Sequence, residues 1–428
     1  MANIRQRGET FLIEVFVGKD SKGKKLRKST TFTPTEKTPA KIRKEVERFA
    51  EDYERRIKEG KYFEGEDITF RQVFEIWGEK WAPQHLSVRC EEEYKRKIEK
   101  RFMKVIGHKK ISRITPLEIQ SIVDYMSQEE KLSPKTVKDH FIAFNSVMRY
   151  AYKMSIIQEN PCLRCELPRI KRDNALRYFT KDQALTFLRS LENEYEATFK
   201  AHSRTLKKTG ETYSVPEYTE TYTVSSMWKA YFYLSIYGGF RRGELCGLKW
   251  KDIDEENKTL SIKRSISKTS HHGQFEKTPK TVAGNRTITL PAKCFERLQE
   301  WKTDQTRLCL KLGSQWKGYR GKDFSENYVF INISNGLAVD VDTPTHKFKE
   351  LIDWYNNSVE SEEEKLPNIR LHDLRHTSAT LLLSEGVDIE TVSKRMGHEK
   401  ASTTLDIYGH ALETMDIKAS ETLERLLG

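Results

Sequence analysis

The spacing of apolar residues changes period along this chain, and that change excludes a fold built from one kind of element. Phe11, Ile13, Val15 and Val17 alternate with Leu12, Glu14 and Phe16, the two-residue period of a strand. The turn-forming segment Gly18-Lys-Asp-Ser-Lys-Gly23 separates that run from Leu26, Lys28, Thr30 and Phe32, where the alternation resumes. From Ile42 the spacing becomes helical, through Val46, Phe49, Ala50, Tyr53 and Ile57. Residues 1–60 therefore read as a short antiparallel sheet backed by one helix. The sheet is basic: Arg5, Arg7, Lys19, Lys22, Lys24, Lys25, Arg27 and Lys28 stand against Glu9, Glu14 and Asp20. The two alternations argue against a flexible basic tail.

Gly60–Asp67 reads as a linker, and an all-helical pattern follows over 67–168. Phe70, Val73, Phe74, Trp77 and Trp81 share one helical stripe. Ser133-Pro134 forms an N-cap and first-turn pair, and Val137, Phe141, Phe144, Met148 and Ala151 carry the next stripe. Lys135 and Lys138 decorate that helix and could grip phosphates, although charges on a helix are usually just its solvated face. Asn160-Pro161 and the basic run Pro168–Arg177 mark the exit to a third region, 175–428, which is mainly helical with a small antiparallel sheet. Within it, residues 202–223 read as an inserted loop or hairpin without an assigned role. Leu260–Ile266 and Arg286–Leu290 read as two strands enclosing a polar segment. Three domains agree with 428 residues at roughly 150 per domain.

Charge narrows the partner. The chain has 75 Lys plus Arg against 63 Asp plus Glu, a formal charge of +12 and a pI near 9.1, which favours a polyanion, nucleic acid before an anionic membrane. No apolar stretch approaches the roughly 20 residues of a spanning helix, and MANIRQRGET lacks a signal peptide's apolar segment, so a cytoplasmic protein is expected. Six cysteines in so long a chain are no disulfide framework. Cys162 and Cys165 form a CxxC without a second ligand pair, and read as reduced thiols at a domain junction. His271 and His272 lack a Cys or carboxylate partner and read as exposed loop residues. No metal and no cofactor are expected. Phosphate-loop, dinucleotide-binding and HExxH signatures are absent.

What remains is a set of cations around one tyrosine. In Gly238-Gly-Phe-Arg-Arg-Gly-Glu-Leu245, two glycines end an apolar helix and place Arg241 at the start of the next, where unpaired N–H groups and the helix dipole favour a phosphate. Glu244, three residues on, can hold that guanidinium. In Leu371-His-Asp-Leu-Arg-His-Thr377, His372 and Arg375 are neighbours on one helix face. In the segment from Met396 to His410, Gly397 ends a helix, His398 falls in the turn, and Ser402 or Thr403 can cap the helix that presents Tyr408. Lys280 sits beside Pro279 in a polar hairpin tip between Glu276 and Arg286. Each piece alone is weak: a surface Arg–Glu pair, an arbitrary HxxR, a packing tyrosine.

Together, GGFRRGELCGLKWKDID, LHDLRHTSATLLL and MGHEKASTTLDIYGH resemble the tyrosine recombinase family, the phage-type integrases, in the family's order of motifs. The resemblance implies a small α+β arm-site DNA-binding domain at 1–60, an all-α core-site DNA-binding domain at 67–168 and a catalytic domain at 175–428. Tyr408 would be the nucleophile. Arg241 and Arg375 would clamp the phosphate oxygens, and Lys280 would protonate the leaving 5′-oxygen, with Lys277 and Arg286 as rivals. His372 would assist proton transfer, His398 would bond the phosphate, and Glu244 would support from behind. His410 is expected in helix packing. The arm contacts would come from Arg5, Arg7, Lys24, Lys25, Arg27 and Lys28, and core contacts from Lys135 and Lys138.

The chemistry agrees with that assignment. A tyrosine with a pKa near 10 is ionised about once in a thousand at neutral pH, so it needs positive charge and a proton acceptor nearby. Two planar guanidiniums match the charge that attack puts on phosphorus oxygens. The expected function is integration and excision of a mobile element at double-stranded DNA attachment sites. A homotetramer on DNA is expected, associated with the nucleoid, with room for host DNA-bending or excision factors. A Xer-type chromosome resolvase and a non-catalytic DNA-binding protein are the alternatives, and residues 1–60 argue for the mobile element. Leu412, Ile417, Leu423, Leu426 and Leu427 would dock the C-terminal segment on a neighbouring protomer.

Overall fold

A computed structural model describes residues 2–19, 25–58, 68–170, 177–206, 209–277, 284–319, 321, 323–400, 402, 404–405, 420–421 and 423–428. The chain divides into two compact units, Met1–Arg172 and Asp173–Gly428. The first contains both the sheet-and-helix and the helical segment assigned to separate domains from the sequence, each with its own apolar core.

Strands β1 (Asn3–Arg7), β2 (Thr10–Lys19) and β3 (Lys25–Phe32) form an antiparallel sheet in that order, covered by α1 (Pro39–Lys58). Ile13 and Val15 bury against Ala50 and Tyr53, Val46 is buried one turn earlier on the same helix, and the Phe32 and Phe49 rings stack 4.2 Å apart. The single-face alternation fails at its end. The β2–β3 register shifts between Phe16 and Gly18, a bulge that leaves Val17 exposed although it is in phase with buried Ile13 and Val15, while Phe16 is exposed on the opposite face.

In α2 (Phe70–Ile76) the predicted stripe buries Phe70, Val73 and Phe74. The helix widens to a π-turn at Trp77–Trp81 and continues as α3 (Ala82–His85), which stacks Trp81 on His85 at 4.3 Å. The long helices α4 (Val88–Ile106), α5 (Pro116–Gln128) and α6 (Pro134–Lys153) enclose the core, with Phe102 against Phe144 at 4.3 Å. Ser133 accepts the Thr136 N–H at 3.3 Å, the cap expected from Ser133-Pro134. Cys162 is buried in this helical core, and burial pushes its thiol pKa far up, so it is an apolar packing residue and not a junction thiol. The Cys165 thiol donates to the carbonyls of Pro161 and Pro116.

The second unit is built around α8 (Ser226–Gly238), a helix apolar on all sides and buried on most of them. Before it come α7 (Lys181–Ser190) and a long hairpin, in which β4 (Glu194–Phe199) pairs with β7 (Tyr218–Thr223) and β5 (His202–Thr205) with β6 (Thr212–Val215). The predicted insertion is thus a hairpin that begins earlier than 202. Tyr195 and Tyr222 seat it on Trp354. After α9 (Arg242–Cys246), β8 (Ile253–Asp254), β9 (Thr259–Ile262) and β12 (Arg286–Thr289) form a sheet ordered β12-β9-β8, while β10 (Ser265–Thr269) and β11 (Gly273–Lys277) make a separate hairpin. Helices α10 (Ala292–Leu312) and α11 (Thr343–Ser358) complete the main core, while α12 (Asp373–Ser384) and α13 (Ile389–Met396) bury Ala379, Leu383, Val392 and Met396 between them.

Candidate active site

The end of α8 sets the site's geometry. Gly239 takes a left-handed φ of 60°, and a Cβ there would lie 2.5 Å from Met396 Cε, so both conformation and space demand glycine. The chain then reverses, and Arg241 becomes the N-cap residue of α9. Glu244 accepts the Arg241 backbone N–H at 2.9 Å and its Nη1 at 2.8 Å. Arg241 Nη2 donates to the Gly397 carbonyl at 3.0 Å, and 40% of its side chain stays exposed.

Arg375 enters from α12 and is 2% exposed. Its Nη1 donates to the Gly239 carbonyl at 2.8 Å, and its Nη2 reaches the Met396 carbonyl at 2.5 Å and His398 Nε2 at 2.8 Å. Gly397, at φ 66°, ends α13 and turns His398 inward. His398 Nδ1 lies 2.8 Å from the hydroxyl of buried Thr404. The two arginines thus converge with His398 on the turn after α13.

His372 occupies the N-cap position of α12, one turn before Arg375, with its ring edge-on to His376 at 5.1 Å. The residue reaches the surface, yet partial burial, then His376 and Arg375, lower its pKa to about 4. Burial, followed by the charges of Arg375, Arg241 and Arg286, likewise brings His398 to about 4. Burial acts to raise the Glu244 pKa, but hydrogen bonds and charge from Arg286, with Arg241, overcome it and hold the carboxyl at about 2.

Arg286 occupies a place different from that of a proton donor. It is 7% exposed and bonds Glu244 in bidentate fashion, Nη1 to Oε1 at 3.1 Å and Nη2 to Oε2 at 2.8 Å. Its Nε donates to the Arg395 carbonyl at 2.8 Å. A guanidinium so committed is no candidate to protonate a leaving group. Lys277 is exposed at the end of β11. Lys280, Tyr408 and His410 lie outside the described residues. So do Lys24, Leu412, Ile417 and the segment 59–67. The turn of the β10–β11 hairpin is at 270–272, where His271 and His272 are exposed, while residues 278–283, which carry the expected hairpin tip, lie outside the described residues.

Among the basic residues, Arg5 and Arg7 are exposed on β1, and Arg5 opposes Leu12 while Arg27 opposes Phe16, on the sheet face away from α1. Lys25 is exposed. Lys28 opposes Val15 on the helix-covered side and is half-buried, so it does not share that face. Lys135 and Lys138 are exposed on α6. The apolar stripes do not single out Lys97, Lys100 and Arg101 of α4. Their charges act on His140 of α6, after burial, to lower its pKa. Among the described residues no cluster of three or more His, Cys, Asp or Glu could hold a metal, and no helix is long and apolar enough to cross a membrane.

Sequence comparison matches residues 214–415 to the phage integrase family and residues 69–127 to the phage integrase N-terminal SAM-like domain. The chain belongs to the phage integrase family. It is similar to a "Tyrosine recombinase XerC-like" protein of Caldanaerobacter subterraneus subsp. tengcongensis, 26% identical over 99% of this chain and 98% of the relative. It is also similar to the ICEBs1 integrase of Bacillus subtilis, 28% identical over 74% of this chain and 72% of that one. The Tn916 transposase of Enterococcus faecalis is 29% identical over 40% of each chain. Among solved structures, the Tn1549 transposon integrase in complex with circular intermediate DNA superposes with a TM-score of 0.61 at 20% identity, covering 83% of this chain and all of that one. This integrase is therefore a tyrosine-type site-specific recombinase, which integrates and excises DNA.

Proposed function

We propose that this integrase cuts its DNA with Tyr408 and holds the scissile phosphate with Arg241, Arg375 and His398. The observation that carries this reading is the convergence of those three cationic or hydrogen-bonding side chains on the turn after α13, beside a segment that leads, four residues past Thr404, to Tyr408. The Tyr408 phenol loses its proton with help from neutral His372, and its oxygen bonds to phosphorus. The bond to the 5′-oxygen breaks, and that oxygen takes a proton from Lys280. The 3′-phosphotyrosine keeps the linkage energy, so a second 5′-hydroxyl reseals the strand without ATP or metal. Losing one preorganised donor to the phosphorus oxygens costs roughly 3 kcal/mol, a hundredfold or more in rate.

The same reading assigns the basic open face of residues 1–60 to arm sites on attachment DNA and the bases of α4 and α6 to core sites. The solved relative named above is a DNA complex, which supports a DNA partner. A homotetramer on DNA follows from exchanging two strands of each of two duplexes, and the same reading puts it in the cytoplasm at the nucleoid, where such DNA lies. The exposed Leu423, Leu426 and Leu427 are available to dock between protomers. The XerC-like relative, matched along nearly the whole chain, favours a second reading as a chromosome resolvase. Incubation with a nicked suicide substrate in EDTA, then denaturing electrophoresis and mapping of the linked residue, tests the chemistry. Absence of any protein–DNA adduct refutes it. Recombination of mobile-element attachment sites but not of a chromosomal resolution site separates the two readings.

A further inference from the structure

The Glu244 carboxylate is shared by two arginines of different character. Arg241 gives it one Nη and the backbone N–H, and keeps 40% of its side chain exposed toward the site. Arg286 gives it both Nη groups from a side chain 7% exposed. The third donor of Arg286, Nε, reaches the Arg395 carbonyl in the last turn of α13, three residues before His398. Its guanidinium carbon also sits 5.8 Å from the centre of the Phe240 ring, the residue immediately before Arg241. One buried side chain on β12 thus touches the support of Arg241 from two directions and the helix end that carries His398.

We propose that Arg286 is a positioning residue: it locks Glu244, and so the reach of Arg241, and fixes the α13 terminus so that Arg241 and His398 meet the same phosphate. This rests on the phosphotyrosine reading above. A guanidinium is required because the work is geometric. Its planar fork fills both carboxylate oxygens while Nε points along the third direction, and a lysine can supply charge but not that triangle of bonds. Glu244 alone cannot hold Arg241 in register, since a carboxylate gripped from one side pivots about its χ angles.

The test is single-turnover cleavage of a nicked suicide substrate at saturating core-site DNA by the full chain, recording rate constant and amplitude separately, with DNA affinity and melting measured in parallel. Arg286→Lys is expected to cleave about tenfold more slowly and Arg286→Met about a hundredfold more slowly, with affinity for core DNA within about twofold of the parent. Combining Arg286→Lys with Glu244→Gln is expected to slow cleavage no further than the slower single variant, because both break one linkage. A merely structural role lowers the amplitude, the fraction of active molecules, and leaves the rate constant alone. That outcome overturns the proposal, as does a parental rate constant in Arg286→Lys. Failure of Arg286→Lys to fold assigns the residue to folding and overturns it too. If the parent itself forms no adduct, it is the phosphotyrosine reading that fails.

Discussion

Arg375 Nη2 and His398 Nε2 stand 2.8 Å apart, and this contact fixes the imidazole's proton. A guanidinium only donates, so Nε2 accepts, and the proton rests on Nδ1, which donates to Thr404 Oγ1 at 2.8 Å. His398 is therefore held neutral, in agreement with a pKa depressed to about 4 by burial and the surrounding arginines. In the mechanism proposed above, an arriving phosphate would offer Arg375 a better acceptor and cancel the positive field, which would free Nε2 to take a proton and bond the phosphate.

That neutral state has a stability signature. Unfolded His398 titrates near 6.5 and folded His398 near 4, so the unfolded chain binds more protons between those values. The contribution to stability is complete above pH 6.5 and is lost as pH falls through the window to 4. Melting temperature is expected to drop on acidification from pH 7 to pH 5, and His398→Asn to melt with a shallower pH slope. Equal slopes for the two proteins would count against a buried neutral histidine.

Tyr408→Phe tests the nucleophile. The ring is kept and the hydroxyl removed, so core-site binding should match the parent while the SDS-resistant adduct disappears. An adduct formed by that variant would move the nucleophile elsewhere. Fluorescence anisotropy and denaturing gels read the two quantities independently.

Glu244→Ala leaves both Nη groups of buried Arg286 without the carboxylate that balances their charge. Removing one partner of a buried ion pair typically costs about 3–5 kcal/mol, and this carboxylate serves two arginines. Urea unfolding should show a loss of that order with an unchanged slope. Glu244→Gln keeps the shape and one acceptor oxygen, so a smaller loss is expected.

Much of this site was legible in the sequence because its residues lie at helix ends that glycine marks. Gly238-Gly239 announces the reversal before Arg241, Gly397 the turn at His398, and HxxR spacing puts His372 and Arg375 on one face. The same periodicities read the sheet of Ile13 and Val15 and the stripe from Phe70 to Trp77. What escaped depends on distant pairing. Nothing local tells Arg286 that its partner is Glu244, 42 residues earlier. The bulge beyond Phe16, the half-burial of Lys28 opposite Val15 and the separate β10–β11 hairpin are register effects that alternation alone does not specify. Thr404, the acceptor that orients His398, looks from its sequence like one more threonine in a capping stretch.

Gly239→Ala probes the reversal itself. A left-handed φ costs an alanine roughly 1–2 kcal/mol, and the new Cβ would also meet Met396 Sδ at 2.8 Å. Because the Gly239 carbonyl anchors Arg375 Nη1, cleavage should fall along with melting temperature. Met396→Ala in the same chain should recover part of the rate by clearing the space, and no recovery would point to the backbone angle alone.

The open sheet face of residues 1–60 makes a prediction about salt. Arg5, Arg7 and Arg27 project away from α1, whereas Lys28 faces it. Removing a side chain that neutralises one phosphate should reduce the slope of log affinity against log salt by about 0.9. Arg5→Ala, Arg7→Ala and Arg27→Ala are therefore expected to flatten the salt dependence on long attachment-site DNA, each by about one unit at most, while Lys28→Ala leaves it nearly unchanged. On a short core site all four variants should bind and cleave like the parent, because the proposed core-site contacts belong to the helical segment and the catalytic unit rather than to this sheet. Deletion of residues 1–60 should do the same to a greater degree, sparing core cleavage and weakening assembly on the long site. Unchanged integration by the truncated chain would remove the arm-site assignment, and a slope altered by Lys28→Ala but not by Arg5→Ala would put the DNA on the opposite face of the sheet.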